Sequence, residues 1–386
     1  MTRLTAVTGA RIFDGSAWLE AHALLIKDGI VEGVVSGSQL PTGSTCIDFA
    51  GQLLVPGFVD LQVNGGGGVR FGDETSVEAI QAITMAHAKF GTTKLLPTLI
   101  TDIPEVTSRA IAGGRSALVS KIPGYLGLHL EGPHLSVARK GAHNRDFIRS
   151  MTDSDLQELR GSSQSVGVML TTVAPENVTT EQVSSLVDSG VIVSIGHSNV
   201  TAEVALKYFE AGATMVTHLF NAMSQLGNRE PGIVGGALND GRVFAGLITD
   251  GFHVDPGAIK LALRAKAAPG QIFIVTDAMQ TIGTELKGFE LNGRSIRRSG
   301  GRLTLDDGTL AGADIDMLSS VRFVHEVIGV PLEQSLSMAS SVPAKAVGVD
   351  DRIGYLKPGY SADFVVLTDR LDHVETWIDG VQAARS

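Results

Sequence analysis

The sequence predicts an α/β protein, with a TIM-like (β/α)8 barrel and a small β-sandwich domain built from both termini. Two observations lead to this expectation. Through the middle of the chain, apolar strand-like runs alternate with amphipathic stretches, which is the order of a parallel sheet with helical crossovers. Both ends of the chain carry short β-prone runs instead. The 386 residues give room for one barrel of about 250 residues and a smaller second unit.

The eight strand-like runs are, in chain order, LLVPGFVDLQVNG, KLLPTLI, GYLGLHLEG, SVGVMLTTVAPE, VIVSIGH, MVTHLFNAM, VFAGLITDG and IFIVTDAM. Nearly every run ends in side chains able to do chemistry, in the same order Gln62 with Asn64, Thr98, Glu131, Glu176, His197, His218, Asp250 and Asp277. The carboxyl ends of barrel strands line the active site, so these side chains are expected to face a common space. An open doubly wound sheet is the competing fold, but the chain lacks a glycine-rich dinucleotide fingerprint.

The two ends of the chain predict the second domain. The run HALLIKDGIVEGVVSG places an Asp-Gly turn between two alternating segments, as in a hairpin, and KPGYSADFVVLTDRLDHVETWIDGVQ has a similar pattern. We therefore expect residues 1–55 and 350–386 to form the small β-sandwich domain and residues 56–349 to form the (β/α)8 barrel. Within the barrel region, residues 285–311 are expected to form a β-hairpin excursion.

Composition excludes several classes of function. The net charge of −10 and the lack of a block rich in Lys and Arg argue against nucleic acids and membranes as partners. Cys46 is the only cysteine, which excludes an intramolecular disulfide and a cysteine metal cage. The N-terminus lacks the apolar core of a signal peptide, and no segment reaches the roughly 18 apolar residues of a membrane span. A cytoplasmic location is the expectation.

Glu131 stands where a buried strand is expected to end, and a buried carboxylate is costly unless it is paired or bound to a metal. Candidate partners are His197 of SIGHSN and His218 of THLFNAM. One carboxylate and two imidazoles form the ligand set of a catalytic zinc-type site with a fourth position for water. A single histidine at a strand end is usually structural, but three such residues on strands three, five and six favour a metal.

Asp277 closes the eighth run in IVTDAM and admits two interpretations. It can cap the N-terminus of a following helix, which Asp does well. It can also act as a base that accepts a proton from water beside a metal. Position alone does not decide between them.

A family resemblance follows from the motifs PGFVDLQVNG, LHLEGPHLSVARKGAHN, GHSN, THLFNAM, ITDGFHV and VTDAM, spread from about Val55 to Met279. Their order resembles the N-acetylglucosamine-6-phosphate deacetylase family of the amidohydrolase superfamily. The resemblance implies metal-dependent hydrolysis of the N-acetyl amide of N-acetyl-D-glucosamine 6-phosphate to D-glucosamine 6-phosphate and acetate. It places this reaction in amino-sugar catabolism and cell-wall sugar recycling.

The resemblance also implies roles for individual residues. Glu131, His197 and His218 would hold one divalent ion, with Zn²⁺ the first choice, and Asp277 would be the general acid and base. Substrate contacts are implied for His143, Asn221, Ala222, Arg229 and His253. Of these, Arg229 is expected to act on the phosphate from the neighbouring subunit of a homodimer.

The chain departs from the superfamily at two places. Gln62 and Asn64 stand where many members carry His-x-His, and amides are poorer zinc ligands than imidazoles, so one metal per subunit is expected. His134 replaces a bulkier aromatic residue and is expected to alter the pocket wall. The rivals are another amidohydrolase, of the dihydroorotase or aminoacylase kind, and a catalytically silent assembly module with the same fold.

Overall fold

The structure is a computed structural model, and it describes residues 4–386 of the chain. The first three residues of the predicted small domain therefore lie outside the described range. The strands are β1 Thr5–Thr8, β2 Arg11–Phe13, β3 Trp18–Leu19, β4 His22–Lys27, β5 Ile30–Ser36, β6 Thr45–Asp48, β7 Leu53–Pro56, β8 Phe58–Val63, β9 Gly65–Gly66, β10 Val69–Arg70, β11 Thr92–Ile100, β12 Gly127–Glu131, β13 Val168–Val173, β14 Ile192–Ile195, β15 Met215–Val216, β16 Phe244–Leu247, β17 Ile272–Ile274, β18 Gly288–Leu291, β19 Arg294–Ser299, β20 Arg302–Thr304, β21 Leu310–Ala313, β22 Phe364–Leu367, β23 His373–Ile378 and β24 Val381–Arg385.

The helices connect the central strands and follow the last of them. They are α1 Val77–Ala88, α2 Pro104–Val119, α3 Asp153–Ser162, α4 Thr180–Asp188, α5 Ala202–Glu210, α6 Gly232–Asn239, α7 Pro256–Ala265, α8 Met317–Arg322, α9 Leu332–Ala339 and α10 Ser341–Ala346. A π-helical segment, Phe323–Ile328, continues α8, and short 3₁₀ turns cover Gly37–Gln39, Val137–Arg139 and Arg145–Phe147. Among residues 4–386, none of these helices combines the length and the hydropathy that a membrane span needs.

The central strands form the predicted barrel. Strand β8 and strands β11 to β17 make one eight-stranded parallel sheet in chain order. The sheet closes where the first strand meets the end of the last: Asp277 N–H donates to the Gln62 carbonyl at 3.0 Å, and Asn64 N–H donates to the Ala278 carbonyl at 2.9 Å. We call this junction the seam. The barrel prediction is confirmed, and the open-sheet alternative is wrong.

Alternation along the strands separates two apolar cores. In β12, Leu128 and Leu130 belong to the large cluster between the sheet and the helices, whereas His129 and Glu131 point the other way. Inside the barrel a second cluster includes Leu61, Leu170, Met215 and Phe273, which come from four different strands. These side chains fill the barrel below the level of Glu131, so polar groups at the strand ends stand on a packed apolar floor.

Both ends of the chain build the small sheet domain, as predicted. One sheet has the order β5-β4-β1-β6 and the other β24-β23-β22-β7-β2-β3, so β7 lies between strands from the two ends. Asp28 and Gly29 form the predicted hairpin turn, and both have positive φ, as a type I′ turn requires. The strands of the small domain lie within Thr5–Pro56 and Phe364–Arg385. The domain boundaries at residues 55/56 and 349/350 remain a prediction.

The excursion differs from its prediction. Instead of one hairpin over residues 285–311, strands β18 to β21 form a four-stranded antiparallel sheet, which we call the excursion sheet. Three reversals are needed, and they occur at Asn292-Gly293, Gly300-Gly301 and near Gly308, where the glycines have positive φ. Its core includes Leu291, Ile296 and Leu303.

A buried ion pair joins the small domain to the barrel. The ammonium of Lys94, on β11, lies 3.2 Å from Asp363 Oδ2 and 3.0 Å from Asp379 Oδ1. Burial alone would lower the pKa of Lys94, but the two carboxylates outweigh it and raise the pKa, so the ammonium stays charged. Asp363 is itself buried, and its own pKa is raised chiefly by burial.

We expect Lys94→Ala to lower the free energy of unfolding by about 3–5 kcal/mol, because the change leaves Asp363 buried without its cation. Denaturant unfolding followed by circular dichroism measures this. The double variant Lys94→Met/Asp363→Asn removes both charges and should recover most of the loss, while Lys89→Ala, at an exposed lysine, serves as the control. A loss below about 1 kcal/mol in Lys94→Ala would show that the pair does not hold the domains together.

Candidate functional site

A cavity of roughly 250 Å³ opens at the carboxyl ends of the barrel strands. The strand-end residues that line it are Asn64, Glu131, His197, His218 and Asp277. Four other predicted strand-end residues do not line it, and of these only Gln62 reaches the site, through hydrogen bonds from its amide to Glu131 and Asp277. Thr98 is buried and accepts the Val63 N–H, Glu176 receives hydrogen bonds from the loop after β14, and Asp250 lies behind His253. The expectation that all of them face one space is therefore wrong for Thr98, Glu176 and Asp250.

Three potential ligand atoms meet at the cavity floor. Glu131 Oε1 lies 3.2 Å from His197 Nε2 and 3.1 Å from His218 Nε2, and the two nitrogens are 3.1 Å apart. All three side chains are buried. A tetrahedral ion with bonds of about 2.0 Å separates its ligands by about 3.3 Å, so this triangle has the dimensions of a metal site.

Hydrogen bonding fixes which nitrogen of His197 faces the triangle. Its Nδ1 lies 2.8 Å from the Arg139 carbonyl, which only accepts, so Nδ1 carries the hydrogen. The Nε2 lone pair then points at the Glu131 carboxylate. Two lone-pair atoms 3.2 Å apart repel each other unless a metal ion or a proton lies between them, and without a metal that proton makes His197 Nε2 a donor to Glu131. The residues present therefore fit a divalent ion.

His143 is a rival ligand, since its ring lies close to the same carboxylate. Ligand atoms of Glu131, His143 and His197 lie within 4.8 Å of one another. The backbone N–H of Thr101, however, donates to His143 Nδ1 at 3.3 Å, so the ring hydrogen is on Nε2. That Nε2–H lies 3.7 Å from Glu131 Oε2. In this tautomer His143 offers a donor to the cavity rather than a lone pair to a metal.

The ionisation states follow from these contacts. Burial would raise the pKa of Glu131, but hydrogen bonds from His197 and His218 outweigh it and hold the pKa well below its usual range. Burial, and then the charge of His197, lowers the pKa of His143 to about 3, which keeps its ring neutral. For His218, burial lowers the pKa, but the hydrogen bond to Glu131 outweighs burial and raises it. A cation that enters the triangle therefore displaces a proton.

Asp277 is linked to Glu131 by the two amides of the first strand. Gln62 Nε2 donates to Glu131 Oε1 at 3.1 Å and to Asp277 Oδ1 at 3.2 Å, and Asn64 Nδ2 donates to Asp277 Oδ1 at 2.6 Å. Burial, followed by the charge of Glu131, raises the pKa of Asp277. No helix begins between residue 277 and Met317, so the helix-capping interpretation is wrong.

The backbone is strained where these side chains are displayed. Positive φ is uncommon outside glycine and costs free energy that the surrounding structure must supply. Five of the eleven non-glycine residues with positive φ in the described chain belong to the site and its rim, namely His197 (47°), His218 (30°), Phe220 (77°), Ala222 (50°) and Asp277 (53°). This concentration is an indication of function that is independent of the ligand geometry.

The residues with implied substrate contacts divide into two groups. His143, Asn221, Ala222 and His253 line the cavity. Arg229 does not, since it lies in an exposed loop outside the cavity of its own chain. His134 also lies away from the lining, where its ring nitrogen donates to the Arg149 carbonyl at 3.0 Å, so it does not alter the pocket wall as expected.

His253 has a fixed partner. Its Nδ1 lies 2.6 Å from Asp250 Oδ2, and Asp250 Oδ1 accepts the backbone N–H groups of Phe252 and His253. Burial would raise the pKa of Asp250, but the hydrogen bonds from His253 outweigh it and lower the pKa. Asp250 thus orients His253 so that the other ring nitrogen faces the cavity.

Sequence reasoning missed one wall of the cavity. Leu291 and the segment 309–312 of the excursion sheet line it, although they are far from the barrel strands in sequence. It also placed Gln62 and Asn64 at a strand end and noted that they are poor metal ligands, but it did not identify them as the donors that join Asp277 to Glu131. The signal for the second point was present, because an amide and a carboxylate at neighbouring strand ends can form a hydrogen bond.

A TIM-like barrel with a carboxylate and two imidazoles at its strand ends defines a class of metal-dependent hydrolases, and the chain belongs to the amidohydrolase family. Residues 53–383 match the model of that family, and residues 5–54 match the NagA composite domain.

Relatives within the family include two deacetylases of similar likeness. N-acetylgalactosamine-6-phosphate deacetylase of Shewanella sp. (strain ANA-3) is 39% identical, with 96% of this chain and 94% of the relative covered. N-acetylglucosamine-6-phosphate deacetylase of Haemophilus influenzae is 38% identical, with 94% of each covered. The solved structure of N-acetylglucosamine-6-phosphate deacetylase from Pasteurella multocida has a TM-score of 0.95 at 34% identity, over 99% of this chain and 100% of that one. The resemblance stated from the motifs is confirmed.

Proposed function

We propose that the protein hydrolyses the N-acetyl amide of N-acetyl-D-glucosamine 6-phosphate, giving D-glucosamine 6-phosphate and acetate, in amino-sugar catabolism and cell-wall sugar recycling. The observation that carries the proposal is the convergence of Glu131, His197, His218 and Asp277 on one buried floor. The names of the full-length relatives support the choice of substrate. The silent-module rival is disfavoured because all four groups are present with strained backbone at three of them.

Glu131, His197 and His218 would hold one divalent ion, and Zn²⁺ is the first candidate because this ligand set suits it. When bound, such an ion supplies Lewis acidity, which polarises an amide carbonyl and lowers the pKa of water. Gln62 and Asn64 favour a single ion, since both amides are engaged with carboxylates. The tautomer of His143 supports leaving it out of the ligand set.

Asp277 would transfer the proton. As an ionised carboxylate it accepts a hydrogen from the attacking water, and it then donates that hydrogen to the sugar nitrogen, which leaves as a neutral amine. A raised pKa suits this double role, because the carboxyl group must hold the proton before it passes it on. His143 Nε2–H would donate to the carbonyl oxygen as negative charge develops there.

The phosphate would be held at the rim. Asn221 and Ala222 offer an amide and a backbone N–H in the strained loop after β15, and His253 faces the same space. Arg229 is exposed in its own chain, and we propose that it reaches the phosphate in the neighbouring subunit of a homodimer. An acidic protein that binds a dianion needs such a local cation.

We further infer a cytoplasmic location, which an exposed, free Cys46 fits.

A second substrate deserves a test, because a relative of equal likeness is named for the galactosamine sugar. The deciding experiment is an acetate-release assay on four substrates: N-acetylglucosamine and N-acetylgalactosamine, each with and without the 6-phosphate. The proposal expects the highest kcat/KM for N-acetylglucosamine 6-phosphate. A preference for the galactosamine phosphate would reassign the sugar, and no turnover of either phosphate would refute the proposed function.

The metal assignment predicts which histidines retain the ion. His197→Ala and His218→Ala should lose it, because each removes an imidazole from the triangle, whereas His143→Ala should keep it. Elemental analysis of purified protein should give one ion per wild-type chain. Two ions at full occupancy, or loss of metal in His143→Ala alone, would contradict the ligand set.

The phosphate assignment predicts a selective defect. Arg229→Ala should cost about 2 to 3 kcal/mol in transition-state binding of the phosphorylated sugar, as charged hydrogen bonds do, and should leave the unphosphorylated sugar nearly unaffected. The measurement is kcat/KM for both substrates, with Arg242→Ala as an exposed-arginine control. Equal losses on both would make Arg229 structural. Mixing Arg229→Ala chains with chains inactivated at Asp277 should restore activity in hybrid dimers.

The proton-transfer assignment predicts a large loss in Asp277→Asn. Asn tolerates the positive φ at this position, and its oxygen can still accept from Asn64, so fold and metal content should be kept. The amide cannot take up the proton, so turnover should fall at least about a hundredfold. Asp255→Asn, at the N-cap of α7, is the matched control, because Asn caps as well as Asp. Normal turnover in metal-replete Asp277→Asn would sink this mechanism.

A further inference from the structure

The excursion sheet contacts the two loops that carry the histidines on the substrate side. The first contact is with the loop before His143. Arg294 Nη2 donates to the Ala142 carbonyl at 2.5 Å, and Asn292 Nδ2 lies 3.4 Å from the same oxygen. Ala142 immediately precedes His143 in the chain. The partly buried guanidinium therefore holds the peptide group that joins Ala142 to His143.

The second contact is with the loop before His253. The Arg302 guanidinium lies over the Phe252 ring, 4.1 Å from its centroid. A cation at this distance is attracted by the ring face. Phe252 immediately precedes His253 and is 40% exposed, and Arg302 covers one face of its ring. Asp250 holds His253 from the barrel side, and the excursion sheet holds the same loop from outside.

The third contact ties the excursion sheet to the barrel seam. Ala313 N–H, at the end of β21, donates to the Asp277 carbonyl at 3.0 Å, and Met279 N–H donates to the Ala313 carbonyl at 3.2 Å. The sheet is thus anchored on the backbone of the proposed proton-transfer residue. From this anchored sheet, Arg294 contacts the loop that contains His143 and Arg302 contacts the loop that contains His253.

We propose that the excursion sheet is a positioning element, in which Arg294 positions His143 and Arg302 positions His253. The kinetic consequences rest on the proposed function, in which His143 faces the reacting carbonyl and His253 faces the phosphate. Neither arginine touches the substrate, because neither lines the cavity. Each acts through the histidine next to its contact.

Replacing the two arginines should change different kinetic constants. Arg294→Ala removes a charged hydrogen bond and should lower kcat about tenfold with little change in KM, since His143 acts as charge develops on the carbonyl. Arg302→Ala removes an exposed cation–π contact and should raise KM about threefold with kcat kept, since His253 binds substrate in the ground state as well.

Four further variants separate a positioning role from general loss of structure. Arg297→Ala is the matched control, because Arg297 lies on the same sheet but pairs with Asp306 in solvent, so kcat and KM should match wild type. Arg294→Lys keeps a cationic donor and should recover part of the lost kcat. Phe252→Leu should reproduce the Arg302→Ala effect, and the double variant Phe252→Leu/Arg302→Ala should show no additional loss.

A readout without substrate keeps the test independent of the proposed function. In metal-loaded protein with ¹⁵N-labelled histidines, Arg294→Ala should shift the ring resonances of His143 and leave those of His253 in place. Arg302→Ala should do the reverse, and Arg297→Ala should shift neither. Unchanged His143 and His253 resonances in both variants would overturn the positioning role, whatever the substrate is. Equal falls in kcat/KM for all three arginine variants, together with lower thermal stability, would also overturn it.

Discussion

The ionised carboxylate of Glu131, buried at the end of a barrel strand, is the constraint on which the site depends. Removing such a charge from water is expensive, and the surrounding groups must repay that cost. Two imidazoles and the Gln62 amide converge on one of its oxygens, and no apolar substitute could satisfy it. The contacts of Glu131 with the two imidazoles hold its pKa well below the usual range although burial would raise it. Burial raises the pKa of Asp277 and the charge of Glu131 adds to this effect, so the same buried charge that attracts a cation also supports the proposed proton-transfer role of Asp277.

The seam connects the groups around Glu131 to the closure of the whole barrel. Hydrogen bonds between residues 62–64 and 277–278 close the sheet, and the side chains of the same residues connect the two carboxylates. Any shift of the first strand against the last would break backbone and side-chain bonds together. Positive φ at Asp277 is tolerated there because bonds on both sides hold the peptide. The barrel therefore fixes the distance between Glu131 and Asp277 by its closure rather than by loop packing.

The sequence predicted the parts of the protein that obey a short period. The eight strands follow from apolar runs bounded by turn residues, and the shared face of His129 and Glu131 follows from the period of two in a strand. Strand-end polarity identified the floor of the cavity for the same reason. The prediction that strand-end side chains face the cavity was wrong for Thr98 and Glu176. The end of a strand specifies how far along the barrel axis a residue lies, but not the direction of its side chain.

Contacts between distant loops could not be predicted in this way. Arg294 reaches Ala142 across 152 positions of sequence, and Arg302 reaches Phe252 from an exposed strand, so neither contact leaves a periodic pattern. The tautomer of His143 depends on a single backbone N–H, that of Thr101. Sequence could identify both histidines as candidates, but only the folded geometry distinguishes a ligand from a donor.

The cavity is built from two parts of the fold, the barrel and the excursion sheet. Glu131, His197, His218 and Asp277 stand at the strand ends of the barrel, whereas Leu291 and residues 309–312 of the excursion sheet form one wall of the cavity. Leu291 and residues 309–311 belong to the excursion sheet, which is joined to the seam through backbone bonds at Ala313, whereas Gly312 has positive φ and packs against Met279, which leaves no space for a side chain there. The barrel therefore carries the proposed metal and proton-transfer groups, and the excursion sheet adds a wall of the cavity and, in our proposal, positions His143 and His253. Two relatives of nearly equal identity to this chain bear the names of two different amino sugars, so overall identity alone does not specify the sugar.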